Sequence, residues 1–245
     1  MMLLPTTMQA SLIILIFHFI VQVGAFTIQP FASSPFKTQL QAGPSSAEEL
    51  ISSPDIWDPI KQELDKIPVF GCTNDKGQPL QYNIGDKPLG VFFCDVNAAK
   101  VELEKAQADT KLDGLQILPF PLGEVFEMGA KQMAVVVPSA QALEEAGAPK
   151  GLNPLGQQVP MFGCMEISAD QPDGTSRTPL FMSFDEAEAV MKMAVDGIGA
   201  GEDSKFEVTV MPLVKAVQNM ATNPEKSYIF EAPKSSLEYL RNSMN

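Results

Sequence analysis

Three kinds of apolar patterning divide the chain. From Leu12 to Val21 the sequence "LIILIFHFIV" is apolar at every position except His18. Farther on, short apolar runs bounded by Gly, Pro and Asp recur, such as "PVF" at 68–70, "LGVFF" at 89–93, "PMF" at 160–162 and "PLF" at 179–181, and these read as strands. Between them the spacing becomes helical. Ala187, Val190, Met191, Ala194 and Val195 fall at i, i+3, i+4, i+7 and i+8, behind Ser183 and Glu186 in capping-box spacing. Val96, Ala99, Leu103 and Ala106 share one face behind Asp95, a residue suited to an N-cap. A leading helix places Ile56, Ile60 and Leu64 on one stripe with Trp57 beside it.

The pattern occurs twice. "IPVFGC" at 67–72 matches "VPMFGC" at 159–164, and "KPLGVFFCD" at 87–95 matches "TPLFMSFD" at 178–185 after one gap. "LQILPFPLGEVFEM" at 115–128 and "FEVTVMPLVKAVQNM" at 206–220 follow, then "AVVVPSAQALEEAG" at 134–147 and "SYIFEAPKSSLEYL" at 227–240. A period this long lies outside solenoid repeats and indicates duplication of a half-domain. The polar segments 73–80 and 168–176, with Asp-Lys-Gly and Pro-Asp-Gly, suit hairpin reversals. The expected fold class is mixed α+β. Two pseudo-symmetric repeats of strand-strand-helix-strand-helix-strand-helix form one domain with helices packed on a central sheet. The expected organisation is a signal peptide at 1–25, a transit-peptide-like segment at 26–42, a leading helical segment at 43–66, repeat half 1 at 67–147, and a linker with repeat half 2 at 148–245.

The apolar run near residue 12 is about half the roughly 20 residues a membrane-spanning helix needs, and small residues follow at 23–25. It reads as a signal peptide cleaved between Ala25 and Phe26. The next stretch, "FTIQPFASSPFKTQLQA", is rich in hydroxyl residues and free of acids, which is transit-peptide composition. A signal peptide joined to such a segment resembles the bipartite leader of proteins sent into complex plastids. About 200 residues remain, enough for one large domain with a substantial core.

The formal net charge is −13 and the chain carries two arginines, Arg177 and Arg241, a combination that disfavours nucleic-acid binding and anionic lipid surfaces. The single histidine, His18, lies in the leader, which removes histidine-dependent nucleophile pairs and zinc sites from a mature chain. Cys72, Cys94 and Cys164 are odd in number, form no C-x-x-C pair and adjoin apolar runs, so they read as buried structural thiols. "GIGAG" at 197–201 follows a helical pattern and reads as a helix-ending loop, not a nucleotide fingerprint. No catalytic constellation, metal or cofactor is expected.

"IPVFGCTNDKGQPL", "PLGVFFC" and "ILPFPLGEVFEM" together resemble the family of the 22-kilodalton component of the plastid inner-envelope import apparatus, the Tic translocon, over about residues 55–240. The resemblance implies a peripheral, non-enzymatic protein of the envelope intermembrane space, or an adjacent compartment, that binds preproteins in a chaperone-like way beside translocon components. Membrane association is at most peripheral, and the stroma is the alternative location. A lipid or pigment carrier and a carboxylate or thiol enzyme stay open as alternatives. Alternation along duplicated strands nominates Phe70, Phe92, Phe162 and Phe181, with Met161 and Met182, as a client-binding surface. Ten methionines beyond residue 42 suit either such a surface or core gap-filling.

Overall fold

A computed structural model describes residues 26–28, 44–84, 87–109, 114–172, 174–198, 206–222 and 227–243. The signal-peptide region, Ala25 and most of the transit-like segment lie outside the described residues. The exception is a short strand, β1 (Phe26–Ile28), which pairs antiparallel with β8 (Ile167–Asp170).

Two helices lead, α1 (Pro44–Ile51) and α2 (Pro54–Leu64). The first half then runs β2 (Pro68–Thr73), β3 (Gln81–Ile84), β4 (Lys87–Phe93), α3 (Val96–Asp109), β5 (Gln116–Pro121), α4 (Leu122–Ala130), β6 (Ala134–Val137) and α5 (Ala140–Glu145). The second half runs β7 (Pro160–Gly163), β8, β9 (Ser176–Phe181), α6 (Phe184–Ile198), β10 (Thr209–Pro212), α7 (Leu213–Thr222), β11 (Tyr228–Glu231) and α8 (Lys234–Ser243). Each half therefore has one more strand than the pattern predicted. β3 and β8 are short and mostly polar, with Ile167 of β8 buried, so apolar periodicity does not mark them.

The sheets themselves are equivalent. In the first, β2 lies between β4 and β5 in antiparallel pairing and β6 adds to β4 in parallel; in the second, β7, β9, β10 and β11 do the same. Phe70 faces Phe93 where Phe162 faces Phe181, and Pro68 faces Pro121 where Pro160 faces Pro212. The Leu122 N–H donates to the Ile67 carbonyl at 2.9 Å, as that of Leu213 does to Val159 at 2.8 Å. This register corrects the alignment drawn from the Pro-Leu pairs at 88–89 and 179–180. Phe93 answers to Phe181, and the caps Asp95 and Ser183 then coincide. The Asp95 carboxylate accepts from the Asn97 N–H at 3.0 Å, and the Ser183 hydroxyl accepts from that of Glu186 at 3.4 Å.

The expected single central sheet is replaced by two, and both faces of each are covered. One core joins the halves. It takes Val69 and Phe92 from the first sheet, Met161 and Leu180 from the second, and Trp57, Leu64, Leu122, Val125, Leu213 and Val217 from α2, α4 and α7. Trp57 stacks on Phe126 with ring centroids 5.4 Å apart, and its indole N–H donates to Glu127 Oε1 at 2.6 Å. Gly123 lets α4 lie against the end of α2, since a Cβ there would come within 2.9 Å of the Lys61 carbonyl oxygen.

The outer faces are covered by exchange. α3 lies over Phe70, Phe93 and Val137 of the first sheet, and α8 from the second half joins it with Tyr239 and Leu240. α6 lies over Phe162 and Phe181 of the second sheet, and α5 from the first half joins it with Ala142. Each half thus lends its last helix to the other. Replacing Met161, which is fully buried, by Asp leaves a charge in the joint core and costs several kcal/mol. Urea titration followed by Trp57 fluorescence should show the midpoint collapsing; an unchanged midpoint would place Met161 outside the core.

Candidate functional site

The six residues nominated from the sequence are placed inside the molecule, in three separate packing regions. Phe92, Met161 and Met182 belong to the joint core, Phe70 lies under α3 and α8, and Phe162 and Phe181 lie under α5 and α6. None is more than 5% exposed. Phe92 meets Phe120 edge-on at 5.0 Å, Phe70 meets Tyr239 at 5.7 Å, and Phe162 meets Phe184 at 5.7 Å. Pleating does send Phe92 and Phe93 to opposite faces, but both faces are roofed, so alternation yields two buried sets in place of one buried and one open set.

Accessible apolar surface lies elsewhere, in a groove of about 270 Å³ lined by Pro79, Gln81, Pro88, Gly90, Met128, Gln132 and Met133. Its floor is the β4 backbone at Gly90, whose N–H donates to the Met133 carbonyl at 3.0 Å. A Cβ at Gly90 would lie 2.9 Å from the Phe92 ring, so this floor requires glycine. One wall comes from the end of α4. The Met133 N–H reaches back to the Met128 carbonyl at 2.8 Å and the Gln132 N–H to that of Gly129 at 2.9 Å, which is a Schellman C-cap. The left-handed position that glycine usually takes is filled by Gln132, φ 57°. The reversal sets Met133 outward, 54% exposed, opposite Pro79 and Pro88. No lining residue carries a charge. Flexible methionines around an uncharged groove can follow apolar side chains of different shapes.

The second half has the same backbone but different chemistry there. The Thr178 N–H donates to the Ser227 carbonyl at 3.1 Å, as Gly90 does to Met133. By register, Ser168, Ser176, Thr178, Ser227 and Asn219 stand where the first half has Gln81, Pro88, Gly90, Met133 and Met128. Ser168 and Thr178 oxygens are 3.5 Å apart, and the Asn219 amide donates to the Tyr228 hydroxyl at 3.3 Å. Among the described residues, the apolar lining belongs to the first half. Composition contained the signal for it, since Met128, Met133, Pro79 and Pro88 were visible as residues, but their convergence needs the α4 cap and the β4–β6 register.

Titratable groups do not gather at the groove. Cys72, Cys94 and Cys164 are buried and unpaired. Burial pushes the Cys72 thiol up to about 11, with Glu102 adding and Tyr82 opposing; it pushes Cys94 up to about 12, with Asp95 adding. Cys164 also rises to about 12 through burial and its hydrogen bond, 3.2 Å, to Glu166. Protonated, enclosed thiols are poor nucleophiles. A second small pocket of about 20 Å³ lies between the halves against Cys94, Met182 and Pro233, room for a water at most. Among the described residues, no group of three or more potential ligands could hold a metal, and no helix is long and apolar enough to cross a membrane.

No family model and no curated protein matches the chain. Among solved structures, it is similar to Tic22 from Plasmodium falciparum, at 19% identity and TM-score 0.60, the match covering 76% of this chain and 97% of that one. It is also similar to Anabaena Tic22, a protein of protein transport, at 17% identity and TM-score 0.58, covering 76% and 96%. The chain has the Tic22 fold. Because the matches run over nearly the whole of both Tic22 chains and about three quarters of this one, the likeness is one of fold and not of one common motif.

Two predictions follow from the site's surroundings. Ellman's reagent at about pH 8 should label none of the three thiols in the native chain and all three after unfolding; native labelling of one would mark it as accessible. The second concerns Glu231 at the end of β11. Burial pushes its carboxyl up to about 7, with Glu186 adding, Lys66 opposing and Glu63 adding. A folded-state pKa raised above the ordinary 4.5 contributes stability that is complete below that value and is lost as pH rises through about 7. Between about pH 5 and pH 8 the wild-type Tm should therefore fall relative to that of Glu231→Gln, by the equivalent of roughly 1–3 kcal/mol. A difference that stays constant or reverses would remove Glu231 from this role.

Proposed function

We propose that the chain is a Tic22-type, non-enzymatic component of plastid protein import and that it binds apolar segments of preproteins in an extended, unfolded state. The observation that carries this reading is the Tic22 fold, shared over 97% and 96% of two solved Tic22 chains, one of them a protein of protein transport. The sequence resemblance to the import family points the same way, and the leader pattern agrees with delivery to a complex plastid and its envelope space. Of the six nominated positions, Phe92, Met161, Phe162, Phe181 and Met182 support this activity as core. The contact surface is assigned to the Met128–Met133 groove, where uncharged, adaptable side chains face solvent. A lipid or pigment carrier would call for an enclosed volume, whereas this groove is open to solvent.

Crosslinking tests the reading. A radiolabelled plastid precursor arrested in transit should crosslink to a photoreactive residue placed at Gln132. Met128→Asn with Met133→Ser, which copies the second half into the first, should lower that yield at least tenfold while leaving Tm within a few degrees. Undiminished crosslinking in the double variant would move the contact surface elsewhere. A precursor that never crosslinks to any position of the chain would overturn the import reading itself.

A further inference from the structure

The exchange of last helices is unequal. α5 enters its site with Ser139 as N-cap, accepting from the Ala142 N–H at 3.0 Å, and buries Ala142 and Leu143. It is tied to β6 on one side and, through the described chain, to β7 on the other. α8 buries only Ser236 and Leu240 in its helix. Ser236 is fully enclosed, and its hydroxyl has no hydrogen-bond partner. An enclosed polar group without a partner disfavours the state that encloses it. α8 is the last described element, joined to β11 through Ala232 and Pro233, and its first N–H is held by the Glu186 carboxylate at 2.9 Å. Tyr239 also meets Phe70 edge-on, with Lys100 Nζ 5.2 Å from the tyrosine ring centroid, Leu240 completes that cluster, and the partly buried Leu237 packs against the joint core.

What α8 covers is strongly apolar. Phe70, Val91, Phe93, Val96, Ala99 and Val137 form a continuous surface across β2, β4, β6 and α3. A helix with one aromatic and one aliphatic anchor already sits on it, which defines the shape and chemistry of a competitor. We propose that α8 is a detachable lid, and that the face beneath it binds an amphipathic helix of another polypeptide in place of α8. That this polypeptide is a preprotein rests on the function proposed above; the exchange itself does not. Phe70, alone of the six nominated positions, would then contact a partner, and only in the open state.

If lid and partner compete for one face, the partner's apparent affinity scales with the fraction of molecules that are open. The probe is a fluorescein-labelled peptide with the sequence of residues 230–245, titrated by anisotropy with the full chain. Tyr239→Ala combined with Leu240→Ala loosens the lid and should tighten peptide binding at least tenfold. Ser236→Ala removes the unpartnered hydroxyl, firms the lid, and should weaken binding several-fold. Trp57 fluorescence, which reports the stacking of α2 on α4 at Phe126, verifies folding of each variant. Binding that is unchanged or weaker in the double variant, or tighter in Ser236→Ala, overturns the proposal. Should the double variant fail to fold, hydrogen exchange on the wild-type chain decides: α8 amides should exchange at least tenfold faster than those of α5, and equal rates overturn the lid. Concentration-dependent dimerisation without peptide binding would assign the face to a second copy of this chain and also overturn it. These outcomes are independent of the Gln132 crosslink, so loss of the lid and loss of the import reading are separately visible.

Discussion

Every residue of β2 and of β7 is buried, and this fixes the architecture. A strand that is apolar on both pleat faces cannot lie at a surface, so each sheet needs a cover on each side. The two inner faces share one core with α2, α4 and α7, while the outer faces each need two helices. Each half provides one of these, α3 or α6, directly after its central strand. The second comes from the other half. Stability of either sheet is consequently conditional on the presence of both.

How much of this could be read in the sequence follows from what each signal encodes. Apolar periodicity gave the strongly buried strands, the long helices and their caps at Asp95 and Ser183, because those features are local. The correspondence of β2 and β7 was visible for the same reason, in "PVFGC" and "PMFGC". β3 and β8 were not, since a polar margin strand resembles a turn when its partner is unknown. The Pro-Leu pairs at 88–89 and 179–180 misled the alignment: identity of residues suggested one register, and the hydrogen-bond ladder uses another. The six nominated residues lie in three separate packing regions, and whether Phe70 or Met161 meets solvent depends on helices supplied from far along the chain.

The matching strand registers of the two halves carry different chemistry at the groove. Equivalent backbones carry Met, Pro and Gly in the first half and Ser, Thr and Asn in the second, so the scaffold tolerates both. Differences at those positions are therefore free to follow function. The left-handed Gln132 shows the same freedom at higher conformational cost, since glycine at that cap would be less strained.

The reciprocal helices have a temporal consequence. During synthesis, sheet 1 is complete once residue 137 has formed, but its outer face has only α3 as cover until Tyr239 and Leu240 are available, about a hundred residues later. Long-range closure of this kind slows folding and withholds a closed core from any partial chain. At a typical synthesis rate of roughly 5–20 residues per second, the nascent first half spends seconds without its second covering helix. Throughout that interval the first half stays an incompletely closed chain.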